Sequence, residues 1–140
     1  MSFFDALSSS ASALTAQRLR MDVISNNLAN ANSTRTADGG PYKRQMAIFA
    51  SREEFKQDVA GRLTKTPSGV KVSQIIKDES PFRMIYEPGH PDANKDGYVL
   101  MPNVNTIQEM TDMMSATRSY EANVTLINSV KSMAAKALEI

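Results

Sequence analysis

Apolar side chains recur every seven residues at the start of the chain. Leu7, Leu14, Met21 and Leu28 form one series, and Phe4 and Ala11 stand three positions before its first members. A seven-residue repeat keeps one narrow face turned toward a partner helix, which predicts an amphipathic helix over residues 1–32. Asn26, Asn27, Asn30 and Asn32 then crowd one short segment. Asparagine bonds to nearby backbone in competition with the helix, so the helix should end near Asn30–Asn32. A second helix is predicted from Asn105, which can cap with Gln108; Thr106 with Glu109 is the same box one residue on. Its stripe runs through Met110, Met113, Thr117, Tyr120, Val124, Ile127, Ala134 and Leu138, broken once at Lys131.

Between the helices the period changes to two. Tyr42–Ala50, Val70–Ile76, Phe82–Tyr86 and Tyr98–Met101 read as short strands, although Phe49 interrupts the alternation of the first. Asp38-Gly39-Gly40-Pro41, Pro88-Gly89 and Asp96-Gly97 are turn signals. Residues 52–69 carry mixed charge with Gly61, Pro67 and Gly69, and read as a mobile loop with one helical turn around Glu53–Val59. The expected fold is α+β, mainly α. Long N- and C-terminal helices form an antiparallel coiled coil, with a small β-rich insert between them. The expected segments are a helix over 1–32, the insert over 33–104 and a helix over 105–140. A helix of about 27 residues spans roughly 40 Å, longer than such an insert can cover. The two ends must therefore pair with each other or with other subunits.

Composition narrows the function classes. The chain has 140 residues, 16 Lys and Arg against 15 Asp and Glu, and no cysteine. Disulfides, zinc thiolates and thiol catalysis are excluded. Evenly mixed charge gives no footprint for nucleic acid and no polybasic patch for lipid. No run reaches the eighteen or so apolar residues of a membrane span, so direct membrane insertion is not expected. Asp5 and a serine run stand where a secretory signal would place basic and apolar segments.

Candidate chemistry is sparse. Asp92-Ala93-Asn94-Lys95-Asp96-Gly97 fits the first half of a calcium loop, but position twelve is Asn103 rather than a bidentate glutamate. The bland reading is a hairpin loop in which Asp and Asn satisfy turn amides. His90, the single histidine, sits between Gly89 and Pro91 without a second ligand or a nucleophile elbow. The pairs Glu53-Glu54 and Asp78-Glu79 lie in solvated segments. Neither catalysis, nor a metal, nor any cofactor is expected.

Three stretches carry a resemblance. NNLANANSTRT with the DGGPYKR after it is similar to the N-terminal signature of the flagellar basal-body rod and hook family. Tyr86–Val104 (YEPGHPDANKDGYVLMPNV) and Arg118–Met133 (RSYEANVTLINSVKSM) resemble its proximal-rod members. The resemblance implies a structural subunit whose terminal helices pack in layers around an export channel, in a rod that crosses the periplasm and transmits torque from motor to hook. It implies other copies of the chain as partners, with rod proteins of the FlgB, FlgF, FlgG and FliE types and the flagellar export apparatus. It also implies type III export without a cleaved signal peptide. On this reading the assembly seam comprises Phe4, Leu7, Leu14, Met21 and Leu28 on the first helix. Met110, Met113, Tyr120, Val124, Ile127, Ala134 and Leu138 supply it on the second. Asn26, Asn27, Asn30, Asn32 and Thr34 form the junction. Two other classes share parts of the pattern: a type III secreted coiled-coil effector or translocator, and a small calcium-dependent enzyme using the Asp92–Asp96 loop.

Overall fold

A computed structural model describes residues 3–37, 39–57 and 63–139. The order is α1 (Phe3–Ala29), β1 (Gln45–Gln57), β2 (Leu63–Lys77), β3 (Arg83–Tyr86), β4 (Tyr98–Met101) and α2 (Thr106–Leu138). No glycine or proline interrupts either helix. Their serines and threonines turn back on the preceding turn, as Ser10 Oγ does to the Ala6 carbonyl at 2.8 Å and Thr125 Oγ1 to that of Glu121 at 2.9 Å. Beyond Ala29 the chain tightens, with the Ala31 amide reaching the Leu28 carbonyl. Asn105 caps α2, its side chain accepting from the amides of Ile107 and Gln108. Gln108 does not close the box; its amide turns to Asp112 at 3.4 Å.

The helices pack against each other within the chain and run antiparallel. Met21 meets Thr117 and Asn27 meets Glu109, so rising numbers on α1 match falling numbers on α2, and the long Arg20 side chain reaches along the pair to Asp112. The buried hydrophobic side chains are small or β-branched: Ala16, Val23, Ile24, Ala31, Val99, Val104, Ala116 and Val130. Small residues bring the helix axes close, but such a core is thin. The chain exposes 9922 Å², against about 7,200 Å² for a compact monomer of its mass.

The insert holds two separate antiparallel ribbons, β1–β2 and β3–β4. The stretch 52–69, expected as a loop, is strand on both sides: Arg52–Gln57 continues β1, and Leu63–Gly69 belongs to β2. Its apolar residues are too scattered to give the period-two pattern by which a strand is recognised. The helical turn expected around Glu53–Val59 is strand as far as Gln57, and the rest lies outside the described residues. Two register shifts bend the ribbon, at Ile48/Phe49 and at Arg52/Glu53. Both extra residues, Ser73 and Ser68, belong to β2, so the face changes along that strand while β1 keeps its alternation. The ribbon lies along α1. At Gly69 (φ 135°) a Cβ would stand 2.3 Å from Ser12 Oγ, and the next amide, Val70 N–H, donates to that hydroxyl at 3.1 Å. Only glycine suits both the conformation and the close approach.

Candidate assembly interface

Where the helices meet the insert, the chain buries polar groups instead of apolar ones. Asn27 is 1% exposed and makes four hydrogen bonds. Its Nδ2 donates to the Gln45 carbonyl at 2.8 Å and to Glu109 Oε2 at 2.9 Å; its Oδ1 accepts from Gln45 N–H at 2.9 Å and from Tyr42 O–H at 3.0 Å. Both donors and both lone pairs of the amide are used. A flipped amide would set like against like at both Gln45 contacts and at Glu109, and only the Tyr42 hydroxyl could reverse, so its orientation is fixed by its neighbours. Glu109, equally buried, accepts from Arg44 Nε at 2.6 Å through its other oxygen. The Arg44 guanidinium also lies 3.7 Å from Asp78 and 3.8 Å from Asp112, and Asp112 pairs with Arg20 at 3.3 Å. Burial, with the Glu109 charge behind it, pushes the Tyr42 phenol above its ordinary value, so it remains a donor. The Asp78 carboxyl is held below its ordinary range by the hydroxyl and amide of Ser80 and then by Arg44.

Asn103 extends the network through the backbone. It accepts from Arg44 N–H at 2.8 Å and donates to the carbonyls of Asp78 and Ser80. One polar cluster thus ties the end of α1, the start of β1, the end of β2 and the start of α2. Removing one partner from such a buried pair leaves the other uncompensated, which is strongly destabilising.

The other signature residues have separate tasks. Asn30 donates to the Asn26 carbonyl and accepts from Ser33, closing the helix end. Asn26 and Asn32 are exposed. Thr34 donates to Asp92 at 2.8 Å, and Arg35 pairs with the other oxygen of the same carboxylate. The supposed calcium loop is thus occupied by its own chain. Asp92 serves Thr34 and Arg35, Asn94 Oδ1 accepts the amides of Asp96 and Tyr98, and His90 Nδ1 accepts the Asp92 amide. No cluster of three or more metal-ligating side chains occurs among the described residues.

The seam residues divide into two sets. Leu7, Leu14, Met21 and Leu28 are half-buried on the flank of α1, and Phe4 is exposed. On α2, Met113, Tyr120, Ile127 and Ala134 are half-buried and form one heptad series of the interhelical face. The second series of that face is Glu109, Ala116, Asn123 and Val130, one position before Met110, Thr117, Val124 and Lys131. Met110 and Thr117 are exposed, Val124 is half-buried, and Leu138 is exposed beyond the reach of α1. Hydrophobicity favoured the series holding Met110 and Val124, whereas the face that closes within the chain accepts Glu109 because Asn27 and Arg44 await it. Glu109 read only as a capping-box glutamate for Thr106 and Arg44 only as the end of the DGGPYKR run, so nothing in the pattern joined them to the Asn cluster.

Known proteins match over the whole length. The family profile described as Flagella basal body rod protein matches residues 7–35, and that of the Flagellar basal body rod FlgEFG protein C-terminal matches residues 95–140. The flagellar basal-body rod protein FlgC of Borreliella burgdorferi is 48% identical, with all of this chain and 98% of the relative covered. That of Bacillus subtilis is 49% identical over 100% and 99%, and that of Salmonella typhimurium 45% over 92% and 90%. The chain belongs to the FlgC family of flagellar basal-body rod proteins.

Proposed function

We propose that this chain is a structural subunit of the proximal rod, assembling through α1 and α2 into the tubular shaft that carries torque from motor to hook. One observation carries the reading beyond family membership. The helix pair closes with a thin core and leaves Met110, Met114, Met133 and Leu138 outward, more apolar surface than a solitary chain of this size should show. Full burial of a Leu- or Met-sized side chain is worth about 1.5–3 kcal/mol, so neighbouring copies complete what the single chain leaves open. The assembly seam comprises Leu7, Leu14, Met21 and Leu28 with Met113, Tyr120, Val124 and Ile127, and Phe4, Met110, Ala134 and Leu138 at its margins. Rod proteins of the FlgB, FlgF, FlgG and FliE types adjoin it above and below. The subunit reaches the periplasm by the flagellar export apparatus without a cleaved signal peptide, and its work is assembly rather than turnover.

The test is complementation of a strain lacking its own copy. Leu14→Asp and Ile127→Asp should each abolish motility and remove the protein from isolated basal bodies while its export continues, because each buries an unpaired charge. Normal swimming by both variants would refute this seam.

A further inference from the structure

The β3–β4 ribbon has two unlike faces. Ile85 pairs with Val99 on the inner one, and Val99 is 1% exposed. On the outer face Met84 stands opposite Leu100 and Tyr86 opposite Tyr98, all four exposed, Met84 at 68%. The tyrosine rings meet edge to face at 5.3 Å. Gly97 (φ 79°) lets the Tyr86 ring lie on the turn, where a Cβ would come within 2.8 Å of it. The platform is therefore built rigid. Its Met84, Tyr98 and Leu100 floor an open groove of about 610 Å³, rimmed by Pro41, Pro91 and the Arg35–Asp92 pair.

A ridge of matching character stands on α2. Ile107, Met110 and Met114 follow each other at spacings of three and four on the side away from Glu109 and Ala116, Ile107 at 76% exposed, and Arg118 continues the line. Resting on the rod-subunit reading, we propose that this ridge of one copy seats in the β3–β4 groove of a second copy. Three observations select a second copy. Methionine sulfur packs favourably on aromatic rings, and the ridge offers two methionines to a floor that holds Tyr98, braced by Tyr86 beside it. Arg118 at the end of the ridge and Glu87 at the end of β3 are opposite charges, and neither makes an ion pair among the described residues. Only Pro102–Asn105 separate β4 from α2, so plug and socket sit side by side on each subunit. Two different adjacent patches make a head-to-tail contact, which repeats by a constant step and builds a ring or an open helix rather than a closed pair.

The chain lacks cysteine, so single cysteines report the contact. Met114→Cys and Leu100→Cys variants, co-expressed in cells lacking the native copy, should form a mixed crosslinked dimer in isolated basal bodies under a short bis-maleimide; neither should do so alone. Arg118→Glu and Glu87→Arg should each lower that yield up to about fivefold, the ratio a good surface pair gives, and the double reversal should restore it. Basal bodies that contain both variants without the mixed dimer would overturn the contact and leave the rod reading standing. Crosslinking of Leu100→Cys to a different rod protein, or of Met114→Cys to itself, would equally overturn the assignment of partner. Absence of the chain from basal bodies would overturn the rod reading and this contact together.

Discussion

The insert is fastened to the helices at two places that work by opposite means. At the junction, side chains make the fastening: Asn27 and Glu109, both out of contact with water, bond each other, Asn27 also holds the Gln45 backbone, and the half-buried Arg44 closes on Glu109. At the ribbon seat the decisive feature is a missing side chain, because Gly69 lets the β2 backbone come down on Ser12 and the helix backbone at Ser9. The first fastening is directional and admits one arrangement of four chain segments. The second is a close approach, steered by one hydrogen bond from Val70 N–H to Ser12. Together they set the angle at which the helices leave the insert and hold the β1–β2 ribbon close along α1.

The largest expected effect breaks the junction. Asn27→Asp keeps the shape but sets a second carboxylate 2.9 Å from Glu109 and against the Gln45 carbonyl. A buried charge whose partner is removed or replaced by a like charge costs on the order of 3–5 kcal/mol. The urea midpoint should fall accordingly, and a loss below about 1 kcal/mol would show that the network is open to water. At the seat, Gly69→Ala should cost less, about 1–3 kcal/mol, the range for a residue forced into a sparsely populated backbone region. Its signature is local: hydrogen exchange should quicken at Val70 while the amides near Asn27 keep their protection. Equal loss of protection at both places would mean that the two fastenings act as one.

The contrast also explains what the pattern of residues could and could not reveal. Both helices and their antiparallel course were legible, because a seven-residue repeat and an Asn105 cap speak of local geometry. Glu109 was not, since hydrophobicity placed the inward face at Met110 and nothing local identifies a glutamate whose partners are 82 and 65 residues away. The seat was equally silent. A glycine among charged residues reads as a loop, and the meaning of Gly69 appears only when the serine run of α1 lies beneath it. Of the junction signature, Asn30 and Thr34 lie at the helix end and in the loop after it, as expected, whereas nothing in the sequence set Asn27 apart from the other asparagines of the junction.

The smallest effect comes from the strap between the two loops, where Thr34 and Arg35 hold Asp92. It resembles the junction in chemistry but lies at the surface, which separates burial from pairing as the cause of the junction's weight. The Thr34 hydroxyl first, and then Arg35, hold the Asp92 carboxyl below its ordinary value. A group whose folded pKa is lowered contributes stability above its unfolded pKa of about 3.9, and that contribution is lost as pH falls through the folded value. Asp92→Asn should therefore be slightly less stable than the parent at pH 5–7, with the gap closing below about pH 4. Because the group is solvated, added salt should shrink the Arg35 share of the gap at neutral pH. The same salt should leave the cost of Asn27→Asp almost unchanged, since water does not reach that carboxylate. Paired urea titrations of both variants at low and high salt test this. Equal salt sensitivity at the two sites would show that the junction is no drier than the strap, and its directional role would then rest on pairing alone.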